Sequence, residues 1–318
     1  HPAYSFAPRW RPPFITALRP EDRCHLNGLA LEHGQPRYVT ALSETDTPEG
    51  WRAVKASGGC VLEVPSGRPL LRYMRAKPIA SKLTANSVAC LHPVCTPSGE
   101  VVTAFAPGDH LHHRGVFLAW YAMQAGATKA DFWGWGKFAP TEGRVIDTIA
   151  LSKQGEQDTP KLLVKNEWNV DGRPMIEEAL HVGVRRQGPA NVIDLVYDLK
   201  PTAETVIDQG AFGGFCVRLR KDGEITFANP EGEVSLPWPH HLKPETDWPA
   251  ADWYDLSIEL AGGKTVGVAV LDHPRNPPSG WHNLARLGMV NPCVVAKGPI
   301  KLEKEKPFKS PSAAASMV

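Results

Sequence analysis

From about residue 69 onward the chain alternates apolar and polar positions in short runs, each bounded by turn-forming residues. Such period-two patterning predicts strands, because successive side chains on an extended backbone face opposite sides of a sheet. The runs lie at residues 87–94, 101–105, 116–121, 161–170, 177–185, 192–199, 215–220, 224–228, 256–260 and 265–271. Asp171-Gly172, Asp222-Gly223 and Gly262-Gly263 stand between runs and supply the positive backbone angles that tight hairpins need. Roughly ten to twelve strands, spaced by about 8–15 residues, predict an all-β fold built as a large antiparallel β-sandwich.

The ends of the chain read differently. The first twenty residues are rich in proline and aromatics and carry no helical period. Short strand-like pieces follow at 28–31, 37–42 and 58–64, too few to bury a core alone. Residues 1–68 therefore read as a short β fragment, 69–309 as the sandwich domain and 310–318 as a disordered tail. The lysine-rich stretch at 297–309 reads as a solvated edge strand, since edge lysines block sheet-to-sheet association.

Composition narrows the function classes. The chain has 318 residues, 42% hydrophobic, with 28 Gly, 30 Pro and 10 Trp, which argues against a helical bundle. Its net charge of +1 provides no global field toward nucleic acid or anionic membrane. No apolar run is long enough for a transmembrane helix, and no charged n-region followed by an apolar h-region appears in the given sequence, which begins at His1. The expectation is a soluble chain, a mature form or a fragment, with its compartment open. No phosphate-binding glycine loop, dinucleotide fingerprint or nucleophile elbow occurs. The six cysteines form no C-x-x-C pair and read as scattered buried thiols, with a Cys90–Cys95 disulfide as the alternative.

Three clusters could carry chemistry. In Gly108-Asp109-His110-Leu111-His112-His113-Arg114-Gly115, an extended backbone would put His110 and His112 on one face and His113 on the other. One imidazole could move a proton while Arg114 orients a carboxylate or hydroxyl. A metal site of His110, His112 and His273 is the alternative, and a loop whose imidazoles satisfy carbonyls is the bland one. In Asp131-Phe132-Trp133-Gly134-Trp135-Gly136, indole faces beside a carboxylate suit a sugar, although the tryptophans could equally plug the sandwich end. In Asp272-His273-Pro274-Arg275-Asn276-Pro277, followed by Trp281, Asp272 could orient an imidazole and His273 exchange a proton. Asn276 there could also be only a turn-former. Glu167, Glu177, Glu178, Asp194 and Asp208 read as surface carboxylates or partners of arginine, with Asp194 a candidate for the interior.

These clusters, in this order, resemble the PmoA-like family of bacterial proteins. The resemblance runs from about Leu70 to Phe308 through HPVCTPSGEVVTAFAPGDHLHHRG, ADFWGWGKFAP, GRVI, VIDLVYDL, VAVLDHPRNPPSGWH and GMVNP. It implies a sandwich of the galactose-mutarotase kind and a carbohydrate-related role, and brings no established reaction. A membrane methane oxygenase subunit, which the family label evokes, would need spanning helices that this chain lacks. Residues 2–68 resemble an internal slice of an uncharacterised propeller-like bacterial family, so the whole reads as a mosaic.

The leading expectation is a carbohydrate-active protein doing acid/base chemistry of epimerase, lyase or hydrolase type in a cleft. His112, His113, Arg114, Asp131 and His273 would be its catalytic residues. Trp133, Asn276, Trp281 and Asp272 would bind a small-molecule or oligosaccharide ligand. The alternatives are a non-catalytic carbohydrate-binding module, a His-ligated metal enzyme and a non-functional mosaic. No other cofactor, nucleic acid or membrane partner is expected. Convergence of the His, Asp and Trp clusters around one open pocket would select among them.

Overall fold

The structure, a computed structural model, describes residues 10–32, 34–55, 59–64, 69–154, 161–235, 248–311 and 314–317. Strands dominate it. In chain order they are β1 (Leu26–Glu32), β2 (Gln35–Ala41), β3 (Cys60–Glu63), β4 (Pro69–Met74), β5 (Cys90–Val94), β6 (Val116–Ala119), β7 (Met123–Ala125) and β8 (Thr128–Ala130). The long strands follow: β9 (Arg144–Gln154), β10 (Lys161–Val170), β11 (Arg173–Gln187) and β12 (Ala190–Pro201). Next come β13 (Thr205–Ile207), β14 (Gly214–Arg218), β15 (Glu224–Asn229), β16 (Gly232–Glu233), β17 (Trp253–Leu260) and β18 (Lys264–Leu271). β19 (Gly280–Trp281), β20 (Met289–Val290), β21 (Pro292–Cys293), β22 (Ile300–Leu302), β23 (Phe308–Pro311) and β24 (Ala314–Met317) complete the set. One helical turn, Trp51–Val54, and a 3-10 turn, Ala285–Leu287, interrupt them. No helix among the described residues is long and apolar enough to cross a membrane.

Two antiparallel sheets face each other. One runs β1-β2-β3-β4-β5-β6-β14-β20, and the other β16-β15-β17-β18-β24-β12-β11-β10-β9 with β23 also on β12. A single core fills the space between them, with Leu71, Tyr73, Leu91 and Phe117 from the first sheet meeting Trp168, Ile176, Leu195 and Val268 from the second. Each of these side chains is essentially removed from water, which is the main stabilising term of the sandwich. The alternation along β10, β11 and β12 places every second residue in that core.

The predicted all-β sandwich is therefore the fold, and several expectations resolve in detail. Asp171-Gly172 makes the β10–β11 hairpin and Gly262-Gly263 the β17–β18 hairpin, all four residues at positive φ. Asp222-Gly223 does not make a hairpin. It joins β14 in the first sheet to β15 in the second, a sheet switch that a turn signal cannot distinguish from a local reversal. β22, inside the lysine-rich stretch, is the edge of a four-stranded sheet ordered β22-β13-β7-β8. All six cysteines are buried free thiols, so no Cys90–Cys95 bridge forms.

The short β fragment expected at the N-terminal end and the tail expected at the other both contribute strands to the two sheets. β1, β2 and β3 extend the first sheet, β3 pairing with β4, and Ala30 and Tyr38 belong to the common core. Their other face carries a second small core of Val39, Ala41, Cys60, Leu62 and Val64, covered by Trp10 and Phe14. The stretch expected to be a disordered tail supplies β23 on β12 and places β24 between β12 and β18, because both of those strands offer open backbone edges.

Candidate functional site

The histidine cluster occupies the loop between β5 and β6, and it is not extended. Backbone bonds from His110 N to Pro107 O and from His113 N to His110 O fold it into two successive turns. Phe105 and Arg114 then pair as an isolated bridge, and Gly115 turns the chain into β6 at φ 49°. A Cβ at Gly115 would lie 2.2 Å from the Leu91 carbonyl oxygen, so only glycine fits this return. The turns gather the three rings. His110 stacks on His113 at 4.8 Å, and His112 meets His113 edge-on at 4.6 Å.

These rings form one wall of a cavity of about 210 Å³. Its other walls are Trp133, Trp135, Phe212, His282, Leu284, Leu287 and Met289. The elements converge on the β6-β14-β20 border of the first sheet, where the loop entering β6 and the start of β20 lie at the end of β14 and Phe212 precedes its start. Burial strips water from the imidazoles and disfavours their charged form, which the neighbouring rings and Arg114 and Arg218 reinforce. His112 is held down to about 4, His113 is held well below its ordinary value, and His110 is also lowered. At neutral pH these three rings are uncharged. Among the described residues, the buried ring nitrogens His113 Nδ1 and Trp133 Nε1 meet no hydrogen-bond partner.

Arg114 and Asp131 build this wall from behind. The Arg114 guanidinium is fully buried and donates to the carbonyl oxygens of His112 (3.2 Å), Trp133 (3.1 Å) and Phe132 (3.2 Å), with its face over Phe117 at 4.4 Å. Burial pushes it down to about 10. Asp131 accepts from the backbone N–H groups of Gly134 (2.8 Å), Trp135 (3.0 Å) and Gly136 (2.6 Å), and is 1% exposed. Both oxygens are thereby occupied, so Asp131 shapes the 131–136 loop and does not face a ligand, contrary to its expected role. Gly134, at φ 99°, lets that loop pack on the His cluster, since a Cβ there would lie 2.7 Å from Ala85 Cβ and 3.3 Å from His112 Cβ. Behind His110, the buried Arg218 makes two bonds to Asp109, of 2.7 and 2.9 Å, and Lys221 meets the same carboxylate.

The third predicted cluster is not in the cavity wall. Asn276 Nδ2 donates to Asp272 Oδ1 at 2.6 Å, and the Arg275 N–H donates to His273 Nδ1 at 3.1 Å, so these side chains organise their own loop. Trp281 is 7% exposed, donates its indole N–H to the Ala251 carbonyl at 2.9 Å and packs on Tyr254 at 4.8 Å. It plugs the sandwich, so a stacking role for it is corrected. The metal reading on His110, His112 and His273 also fails. Among the described residues no group of three or more His, Cys, Asp or Glu could hold a metal ion. The stacked His110 and His113 turn ring faces, rather than nitrogens, toward each other.

The structure thus brings together His110, His112, His113 and Trp133 from the sequence reading, and adds Trp135, Phe212, His282 and Met289. Trp135 and His282 stand inside the motifs already singled out, next to Trp133 and Trp281. Met289 stands in the quoted GMVNP motif, whereas Phe212 carries no local signal, because a distant loop brings it in.

No curated protein matches the chain. Among solved structures, an alpha-galactosidase from Lactobacillus brevis aligns at 10% identity and a TM-score of 0.37, covering 88% of this chain and 38% of that one. The chain thus spans about two fifths of that enzyme's length. A domain of unknown function, DUF4915, matches residues 1–85. DUF6807, a family of unknown function, matches residues 63–311, and since this is most of the chain, the protein belongs to that family.

Proposed function

We propose that the His–aromatic cavity binds a single sugar ring, and that the protein is a carbohydrate-binding module or domain. The observation that carries this reading is a cavity in which the indoles Trp133 and Trp135 and the ring of Phe212 stand with the imidazoles His110, His112, His113 and His282, apolar faces for a sugar's C–H groups beside ring nitrogens suited to its hydroxyls. At about 210 Å³ the cavity is smaller than the roughly 300–1,000 Å³ of sites for drug-sized ligands, and it suits one ring. The resemblance to the PmoA-like, mutarotase-related proteins belongs to the same proposal.

Binding fits the chemistry better than turnover does. Among the described residues no carboxylate stands in the cavity wall, so the paired carboxylates of most glycosidases have no counterpart in it. His112, held near 4, and His113, held well below its ordinary value, are uncharged at neutral pH and have no proton to give as general acids. As bases they are weak, since efficient proton transfer wants a pKa near the working pH. Proton abstraction, as in epimerisation or elimination, is the second reading. His113 Nδ1, which meets no hydrogen-bond partner among the described residues, favours it.

Calorimetric titration with a panel of monosaccharides tests the proposal. The wild type should bind at least one of them, Trp133→Phe should weaken that sugar about fivefold, and His113→Ala should weaken it similarly. If no monosaccharide binds the folded wild type, the sugar reading is wrong. Turnover that is lost in His113→Ala while binding survives would establish the second reading.

A further inference from the structure

The walls of the cavity continue outward as a chain of aromatic rings. Trp133 meets Phe212 at 5.7 Å, Phe212 meets Trp135 at 5.1 Å, and Trp135 meets Phe138 at 5.3 Å. Tyr121 packs beneath, 4.5 Å from Phe212, 5.7 Å from Trp135 and 5.3 Å from Phe138. Exposure rises along the chain: Trp133 is 1% exposed, Trp135 36% and Phe138 59%. Trp135 and Phe138 are the two exposed aromatic side chains among the described residues, and they stand side by side, Trp135 in the cavity wall and Phe138 against it. Isolated exposed apolar side chains are ordinary on protein surfaces, whereas an adjacent pair continuous with a cavity marks a binding surface.

This shelf is also held rigid. The backbone of the Trp135 loop hangs on the buried Asp131 carboxylate, and Gly134 locks it against Ala85 and His112. Burying a carboxylate to fix an exposed indole is costly unless the indole's position matters, and a pre-ordered ring loses little entropy when a ligand stacks on it. Lys137 Nζ lies over Trp135 at 5.0 Å, a mobile donor beside the ring.

We infer that the Trp135–Phe138 shelf is an outer subsite for a second sugar ring, so that the ligand is an oligosaccharide whose terminal ring enters the His-lined cavity. This rests on the sugar reading of the cavity. The occupant follows from continuity: Trp135 and Phe212 belong both to the cavity wall and to the shelf, so a ring linked to the first one leaves directly onto these faces. Lys137 then has sugar hydroxyls within reach as acceptors.

An array of immobilised mono-, di- and trisaccharides of the common hexoses, hexosamines and uronates identifies the tightest sugar. Calorimetry then compares its monosaccharide and disaccharide on the wild type, Trp135→Ala and Phe138→Ala. Both positions are exposed, and a far-ultraviolet dichroism spectrum checks each fold. The disaccharide should bind the wild type at least tenfold more tightly than the monosaccharide, and this ratio should fall to about two or less in each variant. Equal affinity of the two sugars for the wild type overturns the outer subsite and leaves the cavity reading intact. An unchanged ratio in both variants also overturns it. Binding of no saccharide overturns the cavity reading itself. Wild-type dimerisation that Phe138→Ala abolishes would assign the shelf to a second copy of this chain, and would overturn the subsite.

Discussion

Asp131 shows how far a residue's chemical type underdetermines its task. Beside two indoles its carboxylate reads as a ligand group, yet three backbone N–H donors take both oxygens and only 1% of the residue is exposed. Replacement by alanine would take the acceptor from three part-buried donors, at a cost of about 1–3 kcal/mol. Chemical denaturation should read that loss, and red-shifted Trp135 emission should report a loosened loop. The imidazoles make a second prediction. Their pKa is depressed in the folded state, so their contribution to stability is present above about 6.5 and is lost as pH falls toward about 4. Melting temperatures measured from pH 7 to pH 4 should fall, and His112→Asn should flatten the fall. The identities of His110, His112, His113 and Trp133 were legible in the sequence. Their geometry was not, because two consecutive turns replace the extended loop on which the facing of alternate residues was predicted.

Strands and turns were read well where their signals are local. The hairpins at Asp171-Gly172 and Gly262-Gly263 need only two residues of left-handed backbone. Whether Asp222-Gly223 reverses a strand or hands the chain to the opposite sheet depends on partners far along the sequence, and so was misread. Glu178 on β11 is the same lesson for a side chain. It reads as a surface carboxylate, but it faces the core, opposite Asn166 in the β10 register. There it accepts from Asn166 Nδ2 and Trp168 Nε1, each at 2.7 Å, while the Tyr73 hydroxyl donates to Asn166 Oδ1 at 3.1 Å. Asp194, the candidate for the interior, instead pairs with Arg185 at the surface. Burial pushes Glu178 up to about 7. A raised carboxyl pKa stabilises the fold below the ordinary value and loses that contribution as pH rises through the folded one. The wild type should therefore lose up to about 3 kcal/mol from this group between pH 4.5 and 7. Denaturation midpoints at pH 5 to 8 should show Glu178→Gln lacking this loss, opposite in sign to the histidine effect.

At the scale of the molecule, composition and turn density sufficed for an all-β sandwich, since both are averages over many residues. They could not show that the first strands and the last would complete its two sheets. Pairing of β3 with β4, and of β24 with both β12 and β18, is long-range and leaves no mark within any one segment. Deleting residues 1–42 would remove β1 and β2, expose the backbone edge of β3 and uncover Leu62 and Val64. Size-exclusion chromatography should show aggregation of the truncated chain, and calorimetry a lower melting temperature.

The order of the first sheet has a consequence for how such a chain can be inherited. The two family matches overlap over residues 63–85, which contain β4, whereas the cavity gathers at the far end, around β6, β14 and β20. A strand changed at the first margin meets the rest of this sheet through the β3–β4 pairing, so inherited changes in the first three strands reach the β6 border of the cavity by way of β4 and β5 within that sheet.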